Sequence, residues 1–201
     1  MSITIALGAD HGGYPLKEAI KKFLKKEGYK TIDCGTDSTD AVDYPVFAAK
    51  VARQVASGAT RFGVIVDGAG IGSSMAANKI AGVRAALCYD LSSANNAREH
   101  NDANVLTLGS GLIGSSLAQQ IVKKFITTEC TEDRHLKRVG MIDDLQTTKE
   151  ESEKMETTIK DQDLGSLSDA DILKIAERVG QIVQASAGNV TANPQITSSH
   201  D

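Results

Sequence analysis

Short apolar runs and helical patterns alternate along the first 127 residues. Residues 3–7 read as a strand and 15–27 as a helix, opened by Pro15 and stopped before Gly28. Residues 29–34 are strand-like, and 45–56 are helical up to Gly58. The apolar run 62–66 meets a Gly-rich turn and then a helix over 73–79. Residues 83–88 form a further strand, 92–100 a polar helix, 105–108 a strand and 113–126 a helix. Five strands interleaved with helices of this length predict an α/β fold: a five-stranded parallel sheet with helices on both faces, three layers in all. Ligands of such sheets sit beyond the carboxyl ends of the strands. The loops to watch are therefore 8–13, 67–74, 89–92 and 109–112.

The pattern changes near residue 145. Residues 1–144 carry the alternation, and 145–166 are polar with little apolar period, as in a linker or a solvated helix. An amphipathic helix is predicted over 167–188, followed by a frayed tail over 189–201. Ser168 is placed as its N-cap with Asp171 three residues on, and Leu167 and Ile172 as a hydrophobic staple. Ile172, Ile175, Ala176, Val179, Ile182 and Val183 share one face.

Composition narrows the classes. The chain has 201 residues, 41% hydrophobic and 24% charged, as a soluble domain with an appendage would. Aromatics make up only 4%, so aliphatic side chains must build the core. A net charge of −4 argues against nucleic-acid binding and against a membrane surface as partner. No run reaches the ~18 apolar residues of a membrane span, and the N-terminus lacks the features of a secretory signal. Cys34, Cys88 and Cys130 are widely spaced, as in reduced cytoplasmic proteins.

The sharpest local signal is Asp67-Gly68-Ala69-Gly70-Ile71-Gly72-Ser73-Ser74, between an apolar strand and a helix. Its glycines allow backbone N–H groups to turn inward on an anion, although tight packing alone is the competing account. The spacing disfavours a dinucleotide site. Asp67 is a candidate general base, or else a turn or cap residue. Asp10-His11 follows the first strand and suits sugar hydroxyls, or an Asx turn beside a surface histidine. His100-Asn101 ends the fourth helix, where the imidazole is a general acid or a partner of the helix dipole. Arg134 and Arg138, four apart around His135, would share a helical face and clamp a phosphate, unless the run is simply solvated. The four histidines are scattered and no cluster has metal-ligand spacing, so neither metal nor cofactor is expected.

Taken in order, GADHGGYPLK, DYPVFA, GAGIGSSMAANKIAGVRAALCYD, AREHNDANVLTLG and RHLKRV resemble the type B ribose-5-phosphate isomerase family, which includes the galactose-6-phosphate isomerase subunits. The segments span residues 5–139. The resemblance implies a Rossmann-like homodimer or homotetramer with active sites shared between subunits. It also implies reversible aldose–ketose conversion of a small phosphorylated sugar through a cis-enediolate, without metal. Asp10, His11 and Tyr44 would then contact the sugar, and Gly68, Gly70, Ile71 and Gly72 would cradle the enediolate. His100 would assist ring opening with Asn101 beside it, and Arg134, His135 and Arg138 would hold the phosphate.

Several positions depart from the family pattern. Asp67 stands where a catalytic cysteine is common, and Ala69 where a hydroxyl residue is usual. Ser73 replaces a glutamate found in some members; with Ser74 it is a candidate to supply the hydroxyl. Ser110-Gly111 replaces a segment that often carries a phosphate-binding arginine. Ribose 5-phosphate is the first expectation for the substrate, with galactose 6-phosphate, a tetrose 4-phosphate, or a non-catalytic sugar-phosphate-binding subunit as alternatives. The C-terminal helix resembles the encapsulation peptides of bacterial microcompartment cargo, which implies a shell-protein partner; packing on its own domain is the alternative.

Overall fold

Five parallel strands, β1 (Thr4–Ala9), β2 (Lys30–Asp33), β3 (Phe62–Asp67), β4 (Ala85–Leu87) and β5 (Val105–Gly109), lie in the order β2-β1-β3-β5-β4 in the computed structural model. The structure describes residues 3–145, 168 and 170–177. Helices α1 (Tyr14–Lys26), α2 (Tyr44–Ala56), α3 (Ile71–Ala77), α4 (Leu91–Glu99) and α5 (Ser115–Thr127) connect and follow the strands. A sixth helix, α6, runs over 133–145. The chain divides into two compact units, Met1–Lys149 and Glu150–Asp201.

Alternation along each strand sorts side chains into two cores. Ile5, Leu7, Phe62, Val64, Val66, Leu106 and Leu108 face α1, α4 and α5, where Leu16, Ile20, Ala94, Ile121 and Phe125 meet them. Ala6, Ile65 and Val105 face the other way, onto Ala48, Val51, Ala52 and Val55 of α2 and Ala77 of α3. Every residue of β3 is buried, as expected of the central strand of a sheet covered on both faces. Each large aliphatic side chain so buried contributes about 1.5–3 kcal/mol. Phe62 and Phe125 meet edge to face at 5.9 Å, which supplies much of the little aromatic packing available.

This layering positions the site. β1 leads into α1 on one face, while β3 leads into α3 on the other. The connections therefore diverge between two paired strands, and such a switch point opens a crevice at the carboxyl ends.

Most boundaries shift by one or two residues from the sequence expectation. α3 begins at Ile71 rather than 73, because Gly70 is left-handed (φ 77°) and starts the helix early. β4 is reduced to three residues at the sheet edge. α6, for which the sequence pattern gave no definite helix, runs over 133–145 and ends at the first residue of the expected linker. Beyond Leu145, the expected linker and the tail over 189–201 lie outside the described residues.

In the second unit, residues 170–177 are helical, inside the predicted span of 167–188. The reciprocal cap forms: Asp171 N–H donates to Ser168 Oγ at 3.4 Å, and Ser168 N–H donates to Asp171 Oδ2 at 3.3 Å. Ile172 and Leu173 are exposed. Leu167, and with it the expected staple, lies outside the described residues. Among the described residues no helix is long and apolar enough to cross a membrane.

Candidate active site

Three strand-end loops close on the crevice. Asp10 N–H donates to Val66 O at 3.2 Å, which ties the β1 loop to the end of β3. Asp10 Oδ1 accepts from Gly13 N–H at 2.8 Å, three residues on, one residue beyond the bond of an Asx turn. Ser110 N–H donates to Asp67 O at 2.8 Å, and the Ser110 hydroxyl lies 3.0 Å from both Gly12 O and Asp67 O. Ser110 thus ties the β5 loop to both others. The sequence marked its loop but not its role, since a single serine in a turn carries no spacing signal.

Asp67 ends β3 almost fully buried. Its Oδ1 accepts from the N–H groups of Ala69, at 2.8 Å, and Gly70. Its Oδ2 accepts from Ser73 N–H at 3.0 Å. The side chain therefore fastens the glycine turn, as a cap would, and three of its roughly four acceptor directions are taken. Gly70 must be glycine here: its φ is 77°, and a Cβ would sit 2.4 Å from Leu87 Cδ1. The N–H groups of Gly68, Ile71 and Gly72 find no protein acceptor among the described residues. They are the donors the turn can still offer.

Tyr44 reaches this turn from the start of α2. Its ring edge lies where a Cβ on Gly72 would be, 2.6 Å from Tyr44 Cζ, so only glycine lets the phenol in. His11 is exposed, and its Nδ1 accepts from Val42 N–H at 3.2 Å. With Nδ1 accepting, a neutral ring carries its proton on Nε2. Ser73 is not brought to the crevice: it is fully buried, and its hydroxyl lacks a partner. The turn from β3 into α3 points it into the interior, where a serine cannot touch a ligand.

A second group forms elsewhere on the first unit. His100 closes α4, with Asn96 Nδ2 3.0 Å from its Nδ1, an i, i+4 pair. Its ring stacks on His135 of α6, with centroids 4.3 Å apart. Arg134 and Arg138 flank His135 on α6 and are exposed, and neither has a carboxylate partner among the described residues. Burial pushes the His135 imidazole below its usual range, and the charges of His100, Arg134 and Arg138 push it the same way. Asn101 is exposed beside them, its amide 3.4 Å from Asn96 O. Among the described residues, no hydrogen bond, ion pair or ring contact joins this group to Asp10, His11, Tyr44 and the glycine turn. Nor do three His, Cys, Asp or Glu side chains gather as a metal site among them.

The sequence pattern did not point to the residues beneath this second group. Arg84 and Arg98 both grip Asp102, which holds a positive φ of 42° directly after Asn101. Arg84 stands 18 positions from Asp102, a separation that leaves no periodic trace, while Arg98 stands only four away.

A switch-point crevice where a buried carboxylate fastens a glycine turn beside the Tyr44 phenol, next to the strand-end loop that carries Asp10 and His11, has the form of an α/β enzyme site of the strand-end type. The chain belongs to the Ribose/Galactose Isomerase family, whose model matches residues 5–142. It is 44% identical over 138 residues to ribose-5-phosphate isomerase B of Escherichia coli, covering 69% of this chain and 93% of that one. Among solved structures, Clostridium thermocellum ribose-5-phosphate isomerase B matches with a TM-score of 0.71 and 46% identity, over 73% of this chain and 99% of that chain. The type B ribose 5-phosphate isomerase of Trypanosoma brucei matches with a TM-score of 0.70 and 42% identity, over 72% and 99%.

Proposed function

We propose that the protein interconverts an aldose phosphate and its ketose, with ribose 5-phosphate and ribulose 5-phosphate as the pair. The observation that carries this is the β3–α3 turn: three N–H groups without acceptors beside a carboxylate with one acceptor direction free. Removing a proton next to a carbonyl makes an oxyanion, and preorganised amides stabilise it without reorganisation. Asp67 moves the proton between C1 and C2 through the free direction of its carboxylate. Asp10, His11 and Tyr44 orient the sugar. His100, with Asn101, opens the ring, and Arg134, His135 and Arg138 hold the phosphate. The names of the similar proteins support the substrate class.

The separation of the two groups within one chain supports a homodimer, or a homotetramer built from it, in which each completes the other's site. The test is turnover of a sugar-phosphate panel covering ribose 5-phosphate, galactose 6-phosphate and a tetrose 4-phosphate, with oligomer size measured in parallel. Robust ribose 5-phosphate turnover by the purified homo-oligomer is expected. Binding without turnover across the panel would leave a non-catalytic sugar-phosphate subunit instead.

The three amide bonds on Asp67 favour a second account of that residue, in which it only fastens the turn and the proton travels by another group. The exposed Ile172 and Leu173 support a docking role for the C-terminal helix on a microcompartment shell protein. Deleting residues 160–201 should then leave turnover intact and abolish co-assembly with shell protein. An unstable truncated enzyme would favour packing on the chain's own domain.

A further inference from the structure

Arg84 lies immediately before β4 with its side chain largely buried. Its backbone is pinned on both sides, N–H donating to Asn104 Oδ1 at 2.8 Å and C=O accepting from Asn104 N–H at 3.1 Å. The guanidinium then divides its donors between two elements. Nε and Nη2 donate to Asp102 O at 3.2 and 3.0 Å, and Nη2 also donates to Asp102 Oδ2 at 3.0 Å. Nη1 donates to both carboxylate oxygens of Asp143, each at 3.0 Å. Asp102 belongs to the turn after His100, and Asp143 to the helix that carries His135.

Asp102 is held from its other side as well. Arg98 Nη1 donates to Asp102 Oδ1 at 2.6 Å and to Ala103 O at 2.7 Å, while its Nε donates to Thr128 O at 3.2 Å. The Arg98 guanidinium lies 4.9 Å from the Phe62 ring centroid, so this anchor reaches the core. An aspartate in the left-handed region persists only where its surroundings hold it. Two arginines on its two oxygens do so.

We infer that Arg84 is a positioning residue, which sets the turn after His100 and the helix of His135 at one spacing so that the two imidazoles stay stacked. The inference rests on the proposed function only for its catalytic consequence. A planar guanidinium can bridge two elements in fixed geometry, and a lysine ammonium cannot reproduce that fork. The two rings stay in face-to-face contact only while that spacing holds. In an active enzyme, then, the groups assigned to ring opening and phosphate binding lose their mutual geometry when Arg84 is replaced.

The test uses full-length protein labelled at histidine, with Arg84→Lys and Asp143→Asn as variants and Lys123→Ala as control. Lys123 pairs with Glu27 on the surface. The His100 and His135 ring signals are assigned with a His135→Asn variant. In both test variants the His100 signal should move towards its position in His135→Asn, where the stacking ring is gone; the control should leave it in place. The enzyme should show a KM for sugar phosphate about tenfold higher, with kcat within about threefold, the loss of roughly one charge-assisted hydrogen bond. Unmoved imidazole signals in both variants overturn the inference, and so does an unchanged KM. Asp143→Asn, on a half-exposed side chain, keeps the test open if Arg84→Lys fails to fold. A wild-type protein that turns over no sugar phosphate, yet shows the imidazole shifts, would overturn the functional proposal and leave the positioning role standing.

Discussion

The His100 and His135 rings lie face to face, 4.3 Å between centroids and 13° from parallel. Positive charge on its neighbours His100, Arg134 and Arg138 opposes protonation of the His135 ring. Burial is nevertheless the largest single cause of the depression at His135.

A pH dependence of stability follows from that depression. Below the ordinary imidazole value of about 6.5 the unfolded chain takes up a proton at His135 that the folded chain refuses. Stability from this group is therefore complete above about pH 6.5 and declines as pH falls below it. Thermal melts between pH 8 and pH 5.5 should show a drop in Tm that is smaller in His135→Asn. Parallel curves for the two proteins would refute the assignment.

Anion binding should reverse the effect locally. A phosphate beside Arg134 and Arg138 favours the charged imidazole, so proton uptake should accompany binding below about pH 6.5. Arg134→Ala and Arg138→Ala should each raise KM by about 10- to 100-fold, the worth of a charge-assisted hydrogen bond, with a smaller change in kcat. Steady-state kinetics on ribose 5-phosphate checks this; an unchanged KM in both variants would remove them from the site.

Asp67→Asn separates the two roles of that carboxylate. The amide replaces one acceptor with a donor facing an N–H group, so the turn should lose about 1–2 kcal/mol, as for a lost cap. A general base contributes about 10²–10⁴-fold to rate. If Asp67 moves the proton, solvent deuterium incorporation at C2 should fall by at least that factor while Tm drops by only a few degrees. Near-normal exchange would assign Asp67 to the turn alone.

The thiol of Cys88 should be inert in the folded protein. Burial pushes it up to about 11, with the Asp90 charge adding to the rise and Ser93 opposing it. Titration with a thiol reagent at pH 8 should leave Cys88 unlabelled until denaturant is added, whereas Cys34 and Cys130 are half-exposed. Rapid native labelling of Cys88 would show that its burial is not maintained.

Much of the fold was legible from the chain. The apolar runs at 62–66 and 105–108 mark central strands because burial on both faces demands continuous hydrophobic side chains. Pro15 and Gly28 bracket the first helix by local backbone chemistry, and Ser168 with Asp171 caps the last one as their spacing required. The Asp67–Ser74 turn was visible for the same local reason, as glycines cluster where backbone must bend or approach closely. Family resemblance implied roles for His100, Arg134 and Arg138 that spacing alone left open.

Tertiary structure decided the rest. It turned Ser73 inward, engaged Asp67 with three amides, stacked His100 on His135 across 35 positions, and joined Arg84 to Asp143 across 59. Secondary structure leaves a periodic mark because neighbouring residues share one backbone geometry. Contacts between distant segments depend on how finished elements pack, and no repeat in the chain records where a given side chain will then point.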